Sequence, residues 1–405
     1  MMSNGSKRVL TFAVALLLTR PAFSAEDAEQ VTFAEDVAPI FMERCVDCHR
    51  PGEAAPMSLL GYKDARPWAK SIKKAVSSRE MPPWFADPEH GEWANDTSLS
   101  DHEIATIVRW VDQGAPKGDL AKMPQAPTFT VGWQLGEPDY IIELPEVSVP
   151  AEGPDVFPTP MLPLDISERR WIRAVEVRPE DRSVNHHVVL FMTPGQATDQ
   201  EGRFDVLSVW AAGTQPTVFP DGTGRWVSPG QILVGNQHYH PSGVAATDKT
   251  RVGLFFGEGE PESEISAIIA GVTDFSIPAN ASNHLLTATH TIERSANVVS
   301  YFPHMHMRGR DMAFVATYPD GRKETLLDVP AYDFDWQLFY YPEEPKYLPV
   351  GTEVEIIAHY DNSVDNPDNP DPNRDVGFGL QSTDEMMFGV FELIEVESAG
   401  AGGAE

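Results

Sequence analysis

Met312-Ala313-Phe314-Val315-Ala316-Thr317-Tyr318, then Pro319-Asp320-Gly321-Arg322-Lys323, then Glu324-Thr325-Leu326-Leu327-Asp328-Val329 is the stretch that decides the fold. Two apolar, β-branched-rich runs flank an Asp-Gly pair, and such a pair supplies the positive-φ turn that joins antiparallel strands. The same grammar extends in both directions. Short apolar runs at Tyr140–Leu144, Trp171–Val177, His187–Met192, Val252–Phe256, Glu353–Ala358 and Met387–Ile394 stand between turn residues. The chain carries 35 prolines and 30 glycines, which suits many short strands better than long helices. The expectation is a set of β-sandwiches or jelly rolls over about residues 138–398. An internal echo divides it. Pro229-Gly230 leads to His238-Tyr239 as Pro349-Val350-Gly351 leads to His359-Tyr360, each close to 50 residues after an earlier histidine group. The echo suggests two related lobes, 138–275 and 276–398.

Upstream the pattern changes. Cys45-Val46-Asp47-Cys48-His49 holds the only two cysteines of the 405-residue chain. Two thiols on one turn can reach two vinyl groups, and the following imidazole can meet an iron, so the motif reads as a c-type haem attachment site. Zinc would want a second cysteine pair, and a redox dithiol a βαβ context. Thr32-Phe33-Ala34-Glu35 and Ser100-Asp101-His102-Glu103 read as capping boxes. Ile104, Ile107, Val108 and Val111 follow the second at helical spacing, with Gly114 and Pro116 as the stop. Together they predict a small all-α cytochrome c-like domain over 31–115, followed by a Pro- and Gly-bearing linker over 116–137. Met81, in Glu80-Met81-Pro82-Pro83-Trp84, is the favoured sixth ligand and Met57 its competitor; a thioether ligand raises the potential and suits electron transfer.

At the start of the chain, Lys7 and Arg8 precede the run Val9–Leu18, and Ala22 and Ser24 stand before Ala25. This is the layout of a secretory signal peptide over 1–24, too short to span a bilayer, and it points to an exported, periplasmic protein with no membrane span in the mature chain. Its removal would take Lys7, Arg8 and Arg20 and move the net charge from −31 to −34. A chain this acidic is repelled by phosphate backbones, so nucleic acid is excluded as a partner.

Six of the 12 histidines fall into three groups in the β-rich part: His186-His187, His238/His240 and His304/His306. Strand alternation places 304 and 306 on one face, whereas adjacent 186 and 187 can share an ion only at a strand end or a bulge. Asn185-His186-His187-Val188-Val189-Leu190-Phe191, Asn236-Gln237-His238-Tyr239, His304-Met305-His306-Met307-Arg308-Gly309 and Ser382-Thr383-Asp384-Glu385-Met386 occur in that order. The ordered set resembles the type II copper, ascorbate-dependent monooxygenases, the family of dopamine β-hydroxylase and peptidylglycine α-hydroxylating monooxygenase, over about residues 140–396.

The resemblance implies two jelly-roll lobes facing across an open cleft, each holding one copper. His186, His187 and His238 would hold an electron-transfer copper; His304, His306 and Met386 would hold the copper at which O₂ hydroxylates an aliphatic C–H of a small organic substrate. His240 is positioned to join the first site, and His359 has no assigned role. Electrons would come from a redox protein or small reductant and be relayed by the haem. The alternative is a non-catalytic, copper-binding electron carrier. Two departures stand out. Phe302 occupies the position of a substrate-binding Arg in the peptide-amidating branch, and Val390 that of a Tyr, which argues for a less polar substrate.

Overall fold

The computed structural model describes residue 1 and residues 30–396, apart from 54, 131, 194–204 and 212–213. The expected signal peptide lies outside the described residues, save Met1. Among the described residues no helix is long and apolar enough to cross a membrane.

Most of the regular structure is strand, arranged in several sheets. The opening stretch forms the hairpin its turn demands. Strands Gly309–Thr317 and Lys323–Val329 pair antiparallel around Gly321, which has a positive φ of 84°.

The echo has a structural counterpart. One four-stranded sheet runs in the order Met161–Pro163, Ile232–Tyr239, Asn185–Met192, Asp205–Ala211. The other runs His284–Thr291, Glu353–Tyr360, Gly309–Thr317, Lys323–Val329. In chain order both sheets read first, fourth, second, third. In each, the fourth strand ends in a His-Tyr pair whose tyrosine is fully buried (Tyr239, Tyr360).

A nine-stranded sheet joins these regions. It runs from Tyr140–Glu143 through Arg170–Arg178, Thr223–Val227 and Ser263–Val272 to Met387–Glu395, Ala296–His304 and Lys346–Leu348. Strand Ser263–Val272 touches Thr223–Val227 through a short parallel pairing and then pairs along most of its length with Met387–Glu395. The last strand among the described residues is thus built into the interior of this sheet. At the join a buried ion pair crosses the sheet: Arg225 Nη2 lies 2.6 Å from Glu392 Oε1, and Ser300 Oγ donates to Glu392 Oε2 at 2.6 Å.

Ahead of the sheets, helices Ala38–Arg44, Ala69–Ser77 and Asp101–Asp112 pack around Phe33, Phe41, Ile107 and Trp110. The Ser100 capping box is complete, with both reciprocal bonds present. The Thr32 box is half made: its hydroxyl accepts from Glu35 N, but its own amide goes to Asp36 Oδ2 at 2.6 Å, because the first turn is a π-turn and brings Asp36 to the cap.

Candidate metal centres

A β-bulge builds the first histidine group. Asn185 pairs with Tyr239 and His187 with His238, so the register slips at His186 and two residues oppose one. The slip removes the alternation that would have sent His186 to the far face. The three imidazoles converge, with ring centroids 5.3 Å apart for 186/187, 4.6 Å for 186/238 and 5.0 Å for 187/238. One ligand atom from each lies within 4.8 Å of the others.

Hydrogen bonding fixes which nitrogens are free. His238 Nε2 is 2.6 Å from Asp155 Oδ2, so that nitrogen carries the proton, and the bare Nδ1 is buried without a partner. His186 Nε2 faces Asp335 Oδ1 at 3.3 Å, which leaves its Nδ1 bare, 3.1 Å from His187 Nδ1. A neutral His187 can donate its Nδ1–H to this nitrogen, and a metal ion can take the place of that proton. The cationic forms are disfavoured here: burial, then the neighbouring imidazoles, push His187 well below the usual histidine range, and burial lowers His238. An orphaned acceptor and a carboxylate behind the opposite nitrogen are what a metal-binding imidazole requires, so these residues fit a copper ion.

His240 does not join. It is exposed, and its Nδ1 goes to the other oxygen of Asp155 at 2.9 Å. His359 occupies the place in the second sheet that His238 occupies in the first. Opposite it in the register stands Asp311 where the first sheet has His187, and the two are hydrogen-bonded at 2.6 Å. The repeat therefore keeps the strand order but has lost the ligands at this position.

The second group lies at the junction of two other strands. His304 ends strand Ala296–His304, and His306 sits beyond it, with ring centroids 5.4 Å apart. Strand alternation alone therefore does not hold them together. The buried Glu385 does: Oε2 accepts from His306 N (2.9 Å) and Met386 N (3.3 Å), and Oε1 from Arg308 N (2.7 Å). This ties the exit of the histidine strand to the residue before Met387–Glu395, with the His306 and Met386 amides on one oxygen. Burial pushes Glu385 up to about 8 against the pull of those amides and Arg308.

Here the proton pattern is reversed. His304 Nδ1 faces Gln337 Oε1 at 3.0 Å and His306 Nδ1 faces the Asp384 carbonyl at 3.4 Å, so both Nε2 atoms are bare. Burial drives His306 down to about 3 and lowers His304 as well. Two neutral imidazoles with bare Nε2 atoms fit a cuprous ion, for which the Met386 thioether would be the further ligand. Glu385 and Gln337 escaped the sequence reading. Glu385 lies inside a quoted motif but is invisible as a clamp, and Gln337 has no local signature.

Between the groups stands Phe334. Its ring centroid is 5.9 Å from those of His186 and His238 and 5.8 Å from that of His306. The two groups thus share contact with one aromatic ring. Phe302 and Val390 are register partners, and both are buried with Val189, Val206, Val209 and Phe339 in a cluster that packs the first four-stranded sheet against strands Ala296–His304 and Met387–Glu395. An Arg and a Tyr at those positions would be buried there unpaired.

At the cysteine motif, His49 Nδ1 lies 3.2 Å from the Met57 carbonyl, leaving Nε2 for an axial bond. Burial raises Cys45 to about 12 and Cys48 to about 11, the reverse of what a dithiol redox centre needs. Met57 thus meets His49 through its main chain, and Met81 would be the sixth ligand of a bound haem. These residues fit a covalently attached haem.

No family model matches the chain, and no curated protein matches it. Among solved structures it is similar to the PBSX exported protein XepA, with 11% identity over 55% of this chain and 86% of that one, at a TM-score of 0.18. It is also similar to a Paenibacillus xanthan lyase, with 12% identity over 68% of this chain and a TM-score of 0.18; it spans about 28% of that enzyme. Likenesses this distant carry no argument about fold or function.

Proposed function

We propose that the chain is an exported haem–copper oxidoreductase of the type II copper monooxygenase kind, with an N-terminal cytochrome c-like domain and two jelly-roll copper lobes. It would hydroxylate an aliphatic C–H bond of a small, weakly polar molecule with O₂. One C–H and one O₂, with two electrons and two protons, give an alcohol and water. The observation that carries the reading is the nitrogen pattern: bare Nδ1 atoms on His186 and His238 with His187 Nδ1 3.1 Å from the first, two bare Nε2 positions in the other group, and an acceptor behind four of the five rings.

Copper, when bound, supplies one-electron chemistry and reactivity towards O₂, and haem supplies electrons. The chain's own residues do the rest. Asp155 and Gln337 hold His238 and His304 in the tautomers that face a metal. Glu385 fixes His306 and Met386 at the strand junction. Phe302 and Phe388 flank His304 with near-parallel rings at 6.1 and 6.4 Å, which excludes water and offers no charge to a substrate.

The test is metal and product analysis of the exported protein. One haem iron and two coppers per chain, with one copper lost in Met386→Ala, are the expected result. A loaded protein that cycles its copper but yields no organic product is the electron carrier instead, and one that takes up iron but no copper ends the reading.

A further inference from the structure

Within the helical part, residues 84–95 leave their own core and enter that of the second four-stranded region. Ala86 and Trp93 are buried there, and Trp84 and Phe85 pack against it. Backbone bonds pin the segment: Asp87 N to Asp328 O (2.8 Å), Ala94 N to Tyr341 O (2.8 Å) and Glu343 N to Glu92 O (2.9 Å). The Asn95 side chain donates to Phe339 O and accepts from Tyr341 N. Trp84, three residues after Met81, sets its ring 5.0 Å from that of Tyr340. Tyr340 and Tyr301 exchange both backbone hydrogen bonds, at 2.9 and 3.0 Å. The next residue, Phe302, lies 4.8 Å from Phe339 and 6.1 Å from His304, ring to ring. The path from the Met81 loop to His304 is packed aromatic and hydrogen-bonded chain throughout.

The other side of the motif differs. Cys48 borders a cavity of about 210 Å³ lined also by Arg182, Trp210 and Gln215. Trp210 precedes Ala211, the register partner of His187. Towards the first histidine group the contacts of the motif are polar: Gln215 Nε2 donates to Asp47 Oδ2 at 3.4 Å, and Arg182 pairs with Glu53.

We propose that the haem electron enters the His304/His306 group through Trp84 and Tyr340, rather than the His186/His187/His238 group that the family resemblance would favour. The proposal rests on the haem–copper reading above. A ferrous haem iron gives up one electron and becomes ferric; the cupric ion at His304/His306 becomes cuprous; no bond breaks and no proton moves.

The experiment uses full-length protein carrying haem and two cupric ions, without O₂ or substrate. Metal content is measured first, since a protein that lacks either metal refutes the haem–copper reading and this route with it. The haem is then reduced by a light flash, and its absorbance is followed beside the two cupric resonance signals, the second group's being the one missing from Met386→Ala. Haem oxidation is expected to coincide with loss of the second group's signal in the parent protein, a result that needs no variant to fold. Trp84→Leu should slow it by about tenfold, Trp84→Phe should restore it, and amide exchange at Ala94 and Tyr341 should stay protected in Trp84→Phe. Loss of the three-histidine signal first, or a parent rate in Trp84→Leu, overturns the route.

Discussion

Replacing Glu385 tests whether a buried carboxylate is what assembles the second metal group. Its two oxygens accept three main-chain N–H bonds, from His306, Met386 and Arg308, at 2.9, 3.3 and 2.7 Å, and both Glu385 and Arg308 are 0% exposed. In Glu385→Ala three amides are orphaned at about 1–3 kcal/mol each. A total of about 3–9 kcal/mol would rival the whole stability of a domain, about 5–15 kcal/mol, so that variant should fold poorly. Glu385→Gln is the informative one. Its carbonyl can keep His306 and Met386, while its NH₂ would meet the Arg308 amide donor to donor. One orphaned amide should cost about 1–3 kcal/mol. Urea unfolding of the metal-free protein reads this as a lowered midpoint with an unchanged slope. Calorimetric copper titration should show weaker binding of one ion only. A Gln variant within about 0.5 kcal/mol of the parent, binding both coppers equally, would refute the clamp.

Asp155→Asn leaves His238 Nε2 with a weaker acceptor, so copper affinity at the first group should fall by about 10–100-fold while the second is unchanged, as read by titration. In the metal-free protein, His306 titrates at about 3 when folded and near 6.5 when unfolded, so below pH 6.5 the unfolded chain binds the extra proton. Stability from this residue is therefore complete above pH 6.5 and lost by about 1.4 kcal/mol per pH unit on descent, and His306→Asn should flatten that part of a urea-midpoint profile. Arg225→Met strands the buried Glu392 and should cost about 3–5 kcal/mol; adding Glu392→Leu should recover most of it. A double-mutant cycle without coupling would contradict the pair.

Much of this was legible locally. The Asp320-Gly321 hairpin, the Ser100 cap and the echo between His238-Tyr239 and His359-Tyr360 are set by turn chemistry, capping and pattern, which act over a few residues. Those same signals could not say that His186 sits on a bulge, because a bulge depends on how two distant strands align. They also could not say that His359 meets an aspartate where His238 meets a histidine.

The sequence by itself determined the residue types: imidazoles in pairs, a Cys-x-x-Cys-His, and apolar runs of strand length. Only the tertiary structure decided which nitrogens are bare, since Asp155, Asp335 and Gln337 lie 83, 149 and 33 residues from the histidines they hold. It also decided that Phe302 and Val390 are core neighbours and that residues 84–95 pack outside their own helical unit. The reason is physical. A tautomer, a bulge or a buried contact is a property of two chain segments brought together, and its energy exists only once the chain has folded.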